Sequence, residues 1–128
     1  MNATEALASY MRGRTSPAEL QTALRDFITV ETDGEGGVHV TYSPERELPH
    51  VTFTRADIRS MLDRAINGER LIEEVSDWAN LVTLLDAFDL DPADPGPDDV
   101  WDVLDKVAHP RLSGIDEPWK LRELGAGL

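Results

Sequence analysis

The chain contains no cysteine, which excludes a disulfide framework, a thiol nucleophile and a thiolate metal site. It is also short of positive charge: 12 Lys and Arg stand against 25 Asp and Glu, a formal net charge of -13. Binding to phosphate requires clustered cations, so direct nucleic-acid binding is disfavoured. No stretch approaches the roughly 18 apolar residues of a membrane span. The opening Met1-Asn2-Ala3-Thr4-Glu5-Ala6-Leu7 has neither the basic region nor the apolar run of a secretory signal. No contact with membrane and a cytoplasmic location are the resulting expectations.

What the chain does have is acid, unevenly spread. Eight aspartates (Asp86, Asp89, Asp91, Asp94, Asp98, Asp99, Asp102 and Asp105) occupy one short stretch that contains no Lys or Arg. A concentrated anionic surface repels nucleic acid and anionic lipid, and it speeds encounter with a basic partner through long-range steering. The bland reading is solubility alone, which negative charge also serves.

With 128 residues, 41% of them hydrophobic, the chain is long enough to bury one core. Ala6, Leu7, Tyr10 and Met11 recur at helical spacing over 3–12, and Gly13 follows where a left-handed cap is wanted. Ser16, Pro17 and Glu19 place a capping serine, a first-turn proline and a capping-box glutamate at the head of a second helix running to about residue 27. The period then alternates. Ile28, Val30 and Thr32 lead into a glycine-rich turn over 33–37, and Val38, Val40 and Tyr42 lead out, as in a β-hairpin. Val51 and Phe53 suit a short third strand. Thr54 and Asp57 open a helix that Asn67-Gly68 ends. The apolar stripe from Leu71 to Phe88 predicts a long central helix over 70–88. Three prolines break the acidic loop over 89–97, another helix runs from Pro97 to His109-Pro110, and a last one covers 118–124.

The expected fold is mainly α with minor β: a bundle of five or six helices with one hairpin, forming a single domain over 1–128. Residues 1–53 supply a helix pair and the hairpin; residues 54–128 supply the helical part. An echo runs through the two: Leu7, Tyr10, Met11, Gly13, Glu19 and Leu20 align without gaps with Leu62, Ala65, Ile66, Gly68, Glu74 and Val75. Both copies read as a helix, a glycine stop and a second helix.

Signals for catalysis are weak. His39, His50 and His109 lie far apart with no second ligand at helical spacing, so no metal site is expected; His109, at a helix end, reads as a cap. The aspartate loop misses the ligand spacing of a calcium loop, and Asp98 and Asp99 are favoured in a first helical turn whatever the function. Adjacent carboxylates such as Glu73-Glu74 are too common here to mark acid-base chemistry. No serine lies in a nucleophile elbow, and the Gly34–Gly37 cluster lacks the Lys-Ser/Thr of a phosphate loop. No cofactor and no enzyme are expected. Among the tryptophans, Trp78 falls on a core face and Trp119 is the most exposed. Trp101, flanked by Asp98, Asp99 and Asp102, either buries or anchors a partner inside the acidic patch; its helical face favours burial.

Asp57-Ile58-Arg59, Asn67-Gly68-Glu69, the run from Glu73 to Asn80 containing Ser76-Asp77-Trp78-Ala79, Val100-Trp101-Asp102-Val103-Leu104 and His109-Pro110-Arg111-Leu112 resemble a group of small acidic bacterial proteins. Some of these are similar to immunity proteins of polymorphic toxin systems. The resemblance covers about the C-terminal 75 residues and departs from the pattern at 89–97. It implies no catalytic residue. The unbroken aspartate cluster motivates the leading reading, a non-catalytic domain that neutralises a basic protein such as a nuclease toxin, with Asp89, Asp91, Asp94, Asp98, Asp99, Trp101 and Asp102 as the candidate partner-binding residues. The alternative is an adaptor that homo-oligomerises through a hairpin edge or helical face, its acids serving solubility only.

Overall fold

A computed structural model describes residues 2–32 and 38–128. The first helix, α1 (Ala3–Met11), starts where the Asn2 side chain accepts a 2.8 Å hydrogen bond from the Glu5 amide, and it stops where Gly13 adopts φ 72°. At the head of α2 (Pro17–Ala23), Ser16 Oγ accepts from Glu19 N, and Glu19 Oε1 accepts from Ser16 N. This helix ends at Ala23, short of residue 27. The Phe27 and Ile28 amides both turn back to the Leu24 carbonyl and lead the chain directly into strand β1 (Ile28–Thr32). Leu24 is buried inside that turn, so the apolar spacing outlasts the helix. Strand β2 (Val38–Tyr42) pairs with β1 antiparallel, Ile28 opposite Tyr42. The glycine-rich turn expected over 33–37 lies outside the described residues.

The third strand, β3 (Val51–Phe53), does form, and its partner corrects the expected helix over 70–88. Helix α4 covers only Ile72–Leu84; Leu85 turns extended, and Phe88–Leu90 becomes β4, paired parallel to β3 with Val51 opposite Phe88. No glycine or proline marks the break. Leu85, Ala87 and Phe88 are all buried, so their apolar character fits a helix stripe and a strand equally well. Between β3 and β4 the chain makes the long crossover that parallel pairing demands, using α3 (Arg55–Ile66) and α4. Helices α5 (Pro97–Ala108) and α6 (Pro118–Gly125) complete the chain, making it mainly α with two small two-stranded sheets.

One apolar cluster joins both parts of the sequence: Ala6, Leu7 and Tyr10 of α1, Leu20 of α2, Ile58 and Leu62 of α3, Val75 and Trp78 of α4, Val100 and Leu104 of α5 and Leu121 of α6. The strongest helix pairings are α4 on α5 and α3 on α6. The echo becomes two αα-hairpins, α1–α2 and α3–α4. Each turns at a left-handed glycine, Gly13 or Gly68. In each the glutamate at the third helical position accepts from the amide before the helix, Glu19 from Ser16 and Glu74 from Leu71 at 3.0 Å.

Polar groups of the second hairpin close on the end of α1. Trp78 Nε1 donates to the Tyr10 carbonyl at 3.0 Å, Arg70 Nη2 to the Gly13 carbonyl at 2.6 Å, and Arg64 Nη1 to the same carbonyl at 3.3 Å. The carbonyl end of a helix carries partial negative charge, so two guanidiniums there offset it. Tyr10 is buried, yet its Oη finds no hydrogen-bond partner among the described residues. Burial, with the charge of Asp77 adding to it, pushes its phenol well above its ordinary pKa, so it stays protonated.

A Cβ on Gly13 would meet Arg64 Nη1 and lie 2.6 Å from Met61 Sδ, whereas one on Gly68 would meet nothing. Gly68→Ala therefore carries only left-handed backbone strain, about 1–2 kcal/mol, and Gly13→Ala carries about 1–3 kcal/mol more from overpacking. Urea unfolding of the two variants checks this; equal losses would refute the close approach at Gly13. Tyr10→Phe, which removes an unpartnered hydroxyl, is expected to leave stability unchanged or raise it by about 1 kcal/mol, read by the same titration.

Candidate functional site

The acidic stretch is divided by the fold into surface and scaffold. Helix α5 opens with Pro97 in its first turn and Asp98 and Asp99 beside it, the placement that a helix N-terminus favours. Val100, Val103, Leu104 and Val107 form its buried stripe. Asp98, Asp102 and Asp105 recur at i, i+4 and i+7 on the outer side with Asp99 adjacent, and all four are exposed. Lys106 Nζ lies 2.9 Å from Asp102, and the helix closes with the His109 amide on the Asp105 carbonyl. His109 Nδ1 sits 3.2 Å from that carbonyl, in the capping position expected of it.

The other aspartates serve the backbone in different degrees. Asp86 is exposed while its amide donates to Tyr42 Oη, which in turn donates to the Leu84 carbonyl and ties the hairpin to the end of α4. Asp89 projects outward from β4, its Oδ2 3.0 Å from His50 Nδ1. Asp91 is half-buried and accepts from the Ala93 amide at 2.9 Å, closing a local turn. Asp94 is the clearest departure from the expected binding face. Its side chain is 5% exposed and held by Arg55 through two 2.7 Å hydrogen bonds, Nε to Oδ2 and Nη2 to Oδ1. The Gly96 amide also donates to Asp94, and Arg55 reaches the Gly96 carbonyl. The cation missing from the acidic stretch is thus supplied by α3, so Asp94 is a loop clip and not a contact surface.

Trp101 is half-buried and packs edge-on against Phe53, centroids 5.4 Å apart and planes at 87°. It braces α5 against β3 and does not stand out as an anchor. Trp78 is in the core, and Trp119 is 52% exposed. Among the described residues, no three His, Cys, Asp or Glu side chains gather where they would hold a metal ion, and no helix is long and apolar enough to cross a membrane.

Sequence reasoning missed a second feature, a groove of about 570 Å³ between the first half of α4 and the chain that leaves α5. Ile72, Pro110, Leu112 and Ile115 line it with Glu73, Asp77 and Asp116. Its one signal in the sequence is Leu112, a large apolar residue set among polar and turn residues. Comparison of the chain with known protein families, curated proteins and solved structures finds no match.

Hydrogen bonds from Arg55 hold the Asp94 carboxyl below the ordinary carboxylate range. A depressed carboxyl stabilises the fold fully above its unfolded value near pH 4, roughly, and loses that contribution as pH falls toward the folded value. Asp94→Asn is accordingly expected to unfold at lower urea concentration than the parent at neutral pH, with the gap closing on acidification through that window. A gap of constant size across the titration would count against the clip.

Proposed function

We propose that the protein is a non-catalytic binding domain that engages and neutralises a basic protein partner, such as a nuclease toxin, through the outer face of α5. The observation that carries this reading is the exposed row of Asp98, Asp99, Asp102 and Asp105 on a helix whose other side is locked in the core. Lys106 is the only Lys or Arg within α5. Asp89, on β4, is exposed beside His50. A rigid row of carboxylates in a chain of net charge -13 suits capture of a cationic surface, where complementary potentials raise the association rate and select the partner. Asp94 and Trp101, committed to the scaffold, take no part; Asp91 contributes at most its outer oxygen.

A second reading is favoured by the β1–β2 hairpin. Among the described residues no further strand pairs with either of its edges, and an open edge is a template for pairing with another chain. Under that reading the protein is an adaptor that assembles through the hairpin, indifferent to the aspartates.

Affinity capture from the native host with salt-gradient elution tests the first reading. It predicts one small basic protein released by moderate salt. Asp98→Asn, Asp102→Lys and Asp105→Lys combined are expected to slow association with that protein by roughly tenfold or more at low salt and to flatten its salt dependence. An unchanged rate would sink the proposal, and a dimer mass by light scattering with no captured protein would favour the adaptor.

A further inference from the structure

The groove at the end of α5 combines an apolar floor with an acidic rim. Ile72, Pro110 and Ile115 provide the floor and Leu112 the mouth, while Glu73 and Asp77 place two carboxylates on the rim; Asp116 is already paired with Lys120, and Arg111 is the one guanidinium lining the groove. Its volume of about 570 Å³ falls among cavities that hold ligands. Leu112, at 88% exposure, offers more apolar surface at the mouth than the fold itself requires. Helix α4 contains no Lys or Arg, so that wall brings no cation to counter Glu73 and Asp77.

The groove is continuous with the acidic face. His109 lines it and sits one turn below Asp105, with Nδ1 3.8 Å from the Asp105 carboxylate. A ligand lying along the outer side of α5 therefore runs from carboxylates into apolar surface without a break. An anionic lipid surface or an acidic segment would set like charge against the rim, and a second copy of the chain would bring its own charge of -13 with it. Apolar side chains flanked by lysine or arginine satisfy both the floor and the rim.

We infer that this groove is the docking site for a segment of the basic partner that inserts apolar side chains and places lysine or arginine against Glu73 and Asp77. The inference rests on the partner-binding reading above and adds to it a specific anchor: the α5 face steers, and the groove holds. Groove substitutions should then act mainly on dissociation and α5 substitutions mainly on association.

The probe is a labelled peptide of leucine and lysine, about 14 residues long so that a helix can form, with a leucine–glutamate peptide as control. Binding to the full chain is read by anisotropy and by backbone amide shifts. The leucine–lysine peptide is expected to shift amides over 72–77 and 109–116. Glu73→Lys with Asp77→Lys is expected to weaken it by about tenfold or more. Leu112→Asp, at an exposed position where folding is not at stake, should weaken it too. Shifts confined to the outer side of α5 would overturn the groove and leave the partner-binding reading standing. Equal binding of the leucine–glutamate peptide, or a dimer that buries the groove, would overturn the inference as well. Loss of both sets of shifts, with a captured partner indifferent to the α5 substitutions, would remove the inference and the reading together.

Discussion

The end of α1 is the joint on which the two halves of this protein depend. The Tyr10 carbonyl, already held by the Gly13 amide, and the buried Gly13 carbonyl just past the helix both take further donors there, as polar groups at a helix terminus require. These donors come from the other half of the chain, the Trp78 indole and the guanidiniums of Arg64 and Arg70. This arrangement needs Gly13, because a side chain there would displace Met61 and Arg64. The two αα-hairpins thus meet through directed polar contacts embedded in one apolar cluster. Hydrophobic burial supplies most of the driving force, and the joint fixes how the hairpins sit on each other.

From that joint the rest of the scaffold follows. With α4 held through Trp78, it packs along α5, and its C-terminal end delivers β4 alongside β3. Trp101 against Phe53 and the Arg55–Asp94 clip then fix the start of α5 from two sides. The aspartates on its outer face consequently project from a helix with little freedom to move. Preorganised charge of this kind loses less ordering entropy on binding than charge on a mobile tail.

Much of this was legible in the sequence where local chemistry decides local structure. Ser16-Pro17-Ala18-Glu19, Thr54 with Asp57, Gly13, Gly68 and Pro97 each fix a helix boundary through a capping group or a backbone preference, and each boundary stands where those residues put it. The end of α4 was not legible, because Leu85, Ala87 and Phe88 are buried in a strand connection as they would be in a helix. The fate of Asp94 was hidden for a related reason: its partner Arg55 lies 39 positions away, and sequence spacing carries no trace of a tertiary ion pair. Trp101 lies between the two outcomes its flanking acids left open, half-buried, and its partner was not legible, since Phe53 comes from a strand brought close only by the parallel pairing. The groove was invisible because it is a shape made by α4 and the loop after α5, not a pattern in either.

Amide hydrogen exchange on the protein alone and bound to its captured partner tests most directly whether α5 and the groove together form the binding surface. The account predicts added protection at the amides of α5 and over 109–116, with β1 and β2 unchanged. Protection confined to the hairpin, with α5 exchanging as freely bound as unbound, would contradict it.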